Sequence, residues 1–242
     1  MANQPKTAST FTLAMSRFNT YLSQDFLGGP RLLKLSSVIN FQKFFTFFFI
    51  GGLMYYYQHF STAAWVYLGI HGSYGFCWLL KHMIFRDKSW EVEVTIGGAL
   101  SSFLLVLGPY WVAPYLMISG VLGPDYQLAS DALLMGAVVI HTMGVVIMMV
   151  SDAQKHYSLK YRSGLVTDGM FTYVRHPNYT GEMMIYSAYA LIVGHWLPWA
   201  ILLWVWIGVF ATNIKMKEAS MSRYAEWAEY KKRTKYLIPW IF

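Results

Sequence analysis

Apolar residues are concentrated in six runs that are separated by short polar segments. A helix that crosses the hydrocarbon core of a membrane needs roughly 20 mostly apolar residues, and the first four runs approach that length. The last two are short and meet at residues 194–198, so we expect them to extend as a tight helical hairpin, the fifth helix beginning near Tyr179. The runs are residues 41–57, 62–80, 94–114, 132–150, 183–193 and 197–211.

Amphipathic segments flank these runs. In residues 1–35, Phe11, Met15 and Phe18 recur at helical spacing within a polar background, which predicts a helix in the membrane interface. The same features also occur in organelle-targeting segments. Residues 213–235 are amphipathic as well, which predicts a second helix on the membrane surface. We expect the apolar end of the chain, residues 236–242, to pack back onto the domain or into the interface.

The positive charges are segregated along the chain. The connections at residues 58–61, 115–131 and 194–198 contain no lysine or arginine. Basic residues are retained on the cytosolic side of membrane proteins, so six spans with both termini on one basic, cytosolic or matrix-like side explain the distribution. A count of five or seven spans would place basic residues on both sides of the membrane. All 19 lysines and arginines lie in residues 1–43, 81–93, 151–178 and 213–242.

Composition supports an all-α integral membrane protein. The chain is 56% hydrophobic and 13% charged, whereas soluble proteins carry about 25% charged residues. We expect an N-terminal polar segment (residues 1–35) and one membrane domain (residues 36–242). Retained basic residues account for the net charge of +7, so we expect membrane lipids as partners and no nucleic acid. The expected location is the endoplasmic reticulum in a eukaryote, or else the mitochondrial inner membrane.

The longest polar segment between two apolar runs, residues 151–182, is the candidate cofactor-binding loop. Arg175 and His176 offer donors suited to a phosphate or a carboxylate. Pro177 fits the first turn of the following helix, where backbone N–H groups favour an anion. The alternative is that the basic residues are ordinary membrane anchors. The candidate cofactor-binding residues of the loop are Asp152, Lys155, Arg175, His176, Asn178, Tyr179 and Glu182.

Ionisable residues also occur inside the apolar runs. His71 and His141 lie near the middle of two predicted spans, where such residues are costly and usually face a cavity or a partner. Tyr74 lies one turn from His71 and could donate a proton to a substrate carbonyl. Hydrogen bonding between helices is the alternative role. Because Cys77 is the single cysteine and no His-x-x-His pair occurs, we expect no metal site.

Several motifs carry a family resemblance. The sequences FTYV at 171–174, NYTGE at 178–182 and LIPWIF at 237–242 resemble the C-terminal half of steroid 5-alpha-reductases. The sequences HGSYG at 71–75, SDAQK at 151–155 and EASMSRY at 218–224 resemble the DUF1295 branch of the same superfamily more closely. The resemblance covers about residues 63–242.

This resemblance implies an NADPH-dependent membrane oxidoreductase that adds hydride to an activated C=C bond of a sterol-like or other lipid. It places Asp152, Arg175, Asn178, Tyr179 and Glu182 in the NADPH site, with Tyr230 and Arg233 as further candidates in the tail. The candidate catalytic residues are Tyr74, His71 and Glu182. One departure concerns the Gln-Glu pair with which steroid reductases hold the steroid carbonyl, because the first two spans here contain no such pair.

Two other functions stay open. The isoprenylcysteine and phospholipid methyltransferases of the superfamily share the Arg-His-Pro sequence found at residues 175–177 and use S-adenosylmethionine, which Glu218 and the Arg175–His176 pair would then hold. A non-catalytic role as a subunit of a larger membrane protein complex is the third hypothesis.

Overall fold

Helices form most of the chain. A computed structural model describes residues 8–241, and it contains four helical segments that are long and apolar enough to cross a membrane. The two other predicted spans form helices of 24 and 17 residues, Thr62–Phe85 and Pro177–Val193. The protein is therefore helical with several segments suited to a membrane, as the apolar runs predicted. The four segments are Leu35–Tyr56, Ile96–Ile118, Asp131–Tyr161 and Trp196–Met221.

The helices and strands follow one another in a simple order. Two of the long segments are built from consecutive helical pieces: π and 3-10 turns join α4 to α5, and a π turn joins α8 to α9. The elements are α1 (Thr10–Thr20), β1 (Arg31–Lys34), α2 (Leu35–Tyr56), α3 (Thr62–Phe85), β2 (Glu93–Thr95), α4 (Ile96–Ser102), α5 (Val112–Ile118), α6 (Asp131–Tyr161), α7 (Pro177–Val193), α8 (Trp196–Val205), α9 (Ala211–Met221) and α10 (Trp227–Arg233).

Local sequence signals explain where several helices begin. The Ser61 side chain accepts a hydrogen bond from the backbone N–H of Ala64 at 3.3 Å and caps α3. Thr95 does the same for α4 through the N–H of Gly98 at 2.9 Å. Such caps stabilise a helix by about 1 kcal/mol each. Pro177 is the first residue of α7, as its sequence position predicted.

A small β-sheet is an addition to the predicted all-α class. Strands β1 and β2 pair antiparallel, with Arg31 opposite Thr95 and Lys34 opposite Glu93. The strands have four and three residues, and their pairing joins segments some 60 positions apart in the chain. Strands this short give no usable alternating pattern in the sequence, so the sheet was not predicted.

The predicted C-terminal amphipathic helix is interrupted. One helix was expected over residues 213–235, but α9 ends at Met221 and the separate helix α10 begins at Trp227. The intervening turn allows Trp227 and Tyr230 to form a buried cluster with Phe171. Burial of these aromatic rings therefore overrides the continuous helical periodicity of the tail.

The described chain divides into two compact units. The C-terminal unit contains residues 143–184 and 204–241 together with residues 8–19, and the central unit contains residues 20–142 and 185–203. In the central unit, α2 and α3 approach closely at Gly72 and Gly75. A Cβ atom added to Gly72 would lie 2.5 Å from the Phe47 side chain, and one added to Gly75 would overlap the backbone of Lys43. The small residues that flank His71 therefore permit close packing of α3 on α2.

Backbone pairing organises the C-terminal unit. The N–H groups of Arg175 and His176 donate to the carbonyl oxygens of Lys235 and Tyr236, at 2.9 and 3.1 Å. The end of the chain thus packs back onto this unit, as its apolar character predicted. Gly181 lies where α7 meets α6, and an added Cβ atom there would be 2.6 Å from backbone atoms of α6. These contacts hold the start of α7 in place.

Candidate functional site

Arg175 and His176 lie together in the C-terminal unit and share one carboxylate. The Nε atom of Arg175 donates to Oε1 of Glu218 at 2.6 Å, and Nε2 of His176 lies 3.2 Å from the same oxygen. All three side chains are buried. Arg175 also donates to the carbonyl oxygen of Thr234 at 2.6 Å, and its guanidinium lies 4.4 Å from the ring centre of Tyr236. The Arg-His sequence therefore ties the start of α7 to α9 and the tail.

Burial keeps His176 neutral near pH 7. Removal from water lowers the pKa of His176, and the hydrogen bond with Glu218 opposes this shift only in part. A neutral imidazole whose Nε2 faces a carboxylate carries its proton on that nitrogen, so His176 donates to Glu218. Glu218 consequently accepts from both members of the pair.

A cavity opens beside this cluster. It has about 730 Å³ of empty volume, counted out to its open mouth. Three of its lining residues, Lys155, Lys217 and Arg223, add basic side chains, and none of the lining residues is acidic. We call it the cationic cavity. Its lining is Lys155, Leu159, Gly164, Leu165, Val166, Phe171, Arg175, His176, Asn178, Lys217, Ser220, Met221, Arg223, Tyr224 and Tyr230.

Two tyrosines are fixed by hydrogen bonds of their hydroxyl groups. Lys217 donates to the hydroxyl of Tyr179 at 3.1 Å and lies 4.6 Å from its ring centre. The hydroxyl of Tyr230 donates to the carbonyl oxygen of Phe171 at 2.9 Å, and burial raises the pKa of Tyr230 to about 12. Tyr230 is therefore a neutral phenol that fixes one wall of the cationic cavity.

The structure brings together some of the predicted cofactor-binding residues. Lys155, Arg175, His176, Asn178 and Tyr230 line the cationic cavity. The other four predicted residues are not in its lining. Asp152 and Glu182 are half-buried on α6 and α7, and Tyr179 is buried beside Lys217. Arg233 is exposed and stacks on the ring of Tyr230 at 5.7 Å.

Sequence reasoning missed the contribution of α9 to this cavity. Lys217, Ser220 and Met221 of α9 line it, together with Tyr224 in the turn that follows this helix. The spacing of three to four positions between Lys217 and the two later α9 residues places them on one helical face. In the sequence these residues belong to the amphipathic tail, and three of them also belong to the EASMSRY motif at 218–224, but neither feature indicated a cavity. The partnership of Glu218 with Arg175 links positions 43 residues apart, so no local pattern could have shown it.

His71 and Tyr74, the predicted catalytic residues of α3, are buried in the central unit. The His71 ring stacks on Tyr189 with centres 4.0 Å apart, and Nε2 of His141 lies 3.1 Å from the Tyr189 hydroxyl. The ring of Tyr74 lies 4.6 Å from the Nζ atom of Lys43. We call this group the buried polar cluster. It comprises Lys43, Tyr67, His71, Tyr74, His141, Tyr186 and Tyr189.

Metal ligands are not grouped in the described part of the chain. Within residues 8–241, no three His, Cys, Asp or Glu side chains are arranged to hold an ion. Cys77, the single cysteine, is a free thiol on α3.

Comparison with known proteins places these features in a family. A family described as "Protein of unknown function (DUF1295)" matches residues 88–234, more than half of the chain. A protein of Schizosaccharomyces pombe described as "Uncharacterized protein C7D4.09c" is 36% identical over 75 residues, which are 28% of this chain and 26% of that protein. The matched family segment includes every lining residue of the cationic cavity. The chain belongs to the DUF1295 family.

Proposed function

We propose that the protein is an NADPH-dependent reductase that saturates an activated C=C bond of a sterol-like or other lipid, with NADPH bound in the cationic cavity. The observation that carries this proposal is the charge of the cavity lining. Four basic side chains line the cavity and no carboxylate does. Glu218 pairs with Arg175, and the other basic residues of the lining are Lys155, Lys217 and Arg223.

The charge of the lining favours a phosphate-bearing cofactor over S-adenosylmethionine. NADPH carries a diphosphate and a 2′-phosphate, which lysine and arginine bind through charge-assisted hydrogen bonds. S-adenosylmethionine carries a sulfonium and an ammonium group but only one carboxylate, so its net charge is positive and a basic lining disfavours it. Lys155, Lys217 and Arg223 would hold the phosphates, while Asn178, Tyr224 and Tyr230 offer hydrogen-bonding and stacking surfaces.

The proposed reaction needs a hydride and a proton. When bound, NADPH supplies the hydride, which adds to the carbon β to a carbonyl or other activating group. A proton then adds to the α carbon, so the C=C bond becomes a single bond. Tyr74, with His71 beside it, is the proposed acid of this step, as the resemblance to steroid reductases implies. The same resemblance implies a catalytic role for Glu182, which stays a prediction.

The proposal includes a membrane topology. Six spans, formed by α2, α3, α4–α5, α6, α7 and α8–α9, would place both termini and the 151–182 loop on the basic side. In a eukaryotic cell this is the cytosolic side of the endoplasmic reticulum, where NADPH is available, and the mitochondrial inner membrane is the alternative.

After replacing Cys77 with alanine, new cysteines at Ser163 and Tyr126 test the topology. In sealed vesicles of one orientation, an impermeant maleimide added outside should label only one of the two cysteines. It should label only the other in vesicles of the opposite orientation.

The methyltransferase alternative rests on the Arg175-His176-Pro177 sequence. In that function Glu218 and the Arg175–His176 pair would hold S-adenosylmethionine. Instead Glu218 accepts hydrogen bonds from both residues and is not in the cavity lining, which counts against this role. The subunit hypothesis predicts that neither cofactor binds and that the protein purifies with a stable partner.

Variants of the lining test the proposed cofactor site. We expect Lys217→Met and Arg223→Met each to raise the Kd for NADPH about tenfold or more, because a charge-assisted hydrogen bond contributes about 1.5–3 kcal/mol. Lys88→Met is the matched control, since Lys88 is an exposed basic residue in the central unit. Isothermal titration in detergent or nanodiscs measures these constants. Equal affinity in all three variants would contradict the placement of the phosphates.

A further inference from the structure

Residues 231–241 of the C-terminal unit carry a concentration of positive charge. This segment, which we call the basic tail, has the sequence KKRTKYLIPWI, with four basic residues and no acidic one. All four basic side chains are exposed, and the nearest acidic residues in the sequence, Glu226 and Glu229, precede the segment. Within the described residues only Lys231 forms an ion pair, with Glu218 at 3.7 Å. The other three cations are therefore available to an anion outside the protein.

Large apolar side chains follow the basic ones. Ile238, Trp240 and Ile241 are 47%, 79% and 75% exposed. The ring of Trp240 lies 5.6 Å, measured between ring centres, from that of Tyr173, which is also exposed. Tryptophan and tyrosine are enriched where a membrane meets water, because one part of each ring is apolar and another part is polar. The basic tail thus joins a cationic stretch to a surface that suits the interfacial layer of a bilayer.

Backbone hydrogen bonds attach the basic tail to the segment before α7. Lys235 accepts from the N–H group of Arg175 at 2.9 Å and donates its own N–H to the carbonyl oxygen of Tyr173 at 3.0 Å. The next carbonyl oxygen, that of Tyr236, accepts from the N–H group of His176 at 3.1 Å. Detachment of the basic tail would break these bonds and expose the two N–H groups of Arg175 and His176 to water.

The same attachment supports the cationic cavity. Arg175 and His176 line this cavity, and Nη1 of Arg175 donates to the carbonyl oxygen of Thr234, within the basic tail, at 2.6 Å. Tyr230, which precedes the tail by one residue, is also in the lining. A contact that holds the basic tail in place therefore also stabilises this wall of the cavity, because coupling between two binding events is reciprocal.

We infer that the basic tail binds the surface of a membrane that contains anionic phospholipids, and that this contact stabilises the wall of the cationic cavity. Each lysine or arginine near an anionic bilayer strengthens the attachment about fivefold. The exposed apolar side chains enter the interfacial layer, and stable attachment to a membrane generally needs both signals. This combination, in a protein with several helices suited to a membrane, favours a bilayer over a soluble acidic partner. The inference does not depend on the reductase function.

Hydrogen exchange of the full-length protein in nanodiscs tests this attachment. The N–H groups of Arg175 and His176 exchange when the basic tail detaches, so their exchange rate reports how often it does so. The rate is measured by mass spectrometry in nanodiscs of phosphatidylcholine and in nanodiscs that also contain phosphatidylserine. We expect exchange to be at least about fivefold slower with phosphatidylserine, which is the contribution of a single basic side chain.

Two double variants with the same loss of charge separate the basic tail from a general effect of surface charge. Lys232→Gln/Lys235→Gln changes no residue of the cavity lining and should reduce the phosphatidylserine effect by at least about fivefold. Lys88→Gln/Lys215→Gln removes two exposed lysines outside the tail and should keep the effect. Trp240→Ser removes the most exposed aromatic ring of the tail, should also weaken the effect, and serves if the tail lysine variant does not fold.

Each outcome decides the inference. A phosphatidylserine effect below about fivefold in the wild type, or an equal effect in the two double variants, would overturn it. The same slowing by soluble O-phosphoserine in neutral nanodiscs would also overturn it, because the tail would then recognise an anion without a membrane. NADPH titration in neutral nanodiscs tests the proposed function separately. Absent NADPH binding refutes the reductase and leaves the membrane attachment standing.

Discussion

The buried pair of Arg175 and Glu218 should dominate the stability of the C-terminal unit. The two side chains are 3% and 9% exposed and their charged atoms lie 2.6 Å apart. Removing one partner of a buried ion pair costs about 3–5 kcal/mol, because it leaves the other charge uncompensated. Arg175 keeps its hydrogen bond to the Thr234 carbonyl, so we place Glu218→Gln near the lower limit, at about 3 kcal/mol. For a chain of this size the loss corresponds to a Tm about 6–12 °C lower.

A double-mutant cycle distinguishes this pair from an ordinary surface contact. Arg175→Met should cost about as much as Glu218→Gln, but the double variant Arg175→Met/Glu218→Gln should cost at least about 2 kcal/mol less than the sum, because no unpaired charge then remains. The control is the pair of Arg162 and Asp168, whose atoms lie 2.8 Å apart but whose side chains are 55% and 63% exposed.

Thermal unfolding in detergent, followed by circular dichroism, measures the cycle. Asp168→Asn in the control pair should change the unfolding free energy by less than about 1 kcal/mol. Two results would refute the argument that burial makes this ion pair important for stability. One is additive losses of unfolding free energy at Arg175 and Glu218, and the other is an equally large loss in the control pair.

Three further predictions concern single residues. Gly181→Ala should destabilise the protein by about 1–3 kcal/mol, because the new Cβ atom would lie 2.6 Å from the backbone of α6. Gly136→Ala is the control: it has open space around it and should be neutral or stabilising in the same thermal unfolding experiment. Burial lowers the folded-state pKa of His176, so the unfolded chain gains a proton first as pH falls through about 6.5. The stability of the folded protein should therefore decrease between about pH 7 and pH 5, which a series of melts measures as a falling Tm. In His176→Gln the Tm should fall less over the same pH range. Tyr230→Phe removes the hydrogen bond to the Phe171 carbonyl and should cost about 1 kcal/mol; no measurable loss would contradict its role as a fixed wall.

The helices and their order could be predicted because they depend on local properties. Runs of apolar residues predicted all six long helices, and Pro177 marked the start of α7. The loop residues Arg175 and His176 were predicted as site residues and do line the cationic cavity.

Pairings between distant segments could not be predicted in the same way. The β1–β2 sheet joins two short strands, and Glu218 meets Arg175 through the tertiary fold alone. The resemblance suggested Asp152 and Glu182 as cofactor residues, but they are not in the lining of the cationic cavity. Lys43 appeared in the sequence as an ordinary basic residue near the start of a span. Only the packing of α2 on α3 showed that it is buried among aromatic rings.

Equilibrium titration of the purified wild-type protein with NADPH and with S-adenosylmethionine tests the central claim most directly. The positive charge of the cationic cavity predicts that NADPH binds with a Kd in the micromolar range or below, that its affinity falls as salt concentration rises, and that S-adenosylmethionine binds at least about a hundredfold more weakly. Saturable binding of S-adenosylmethionine without binding of NADPH would contradict the account.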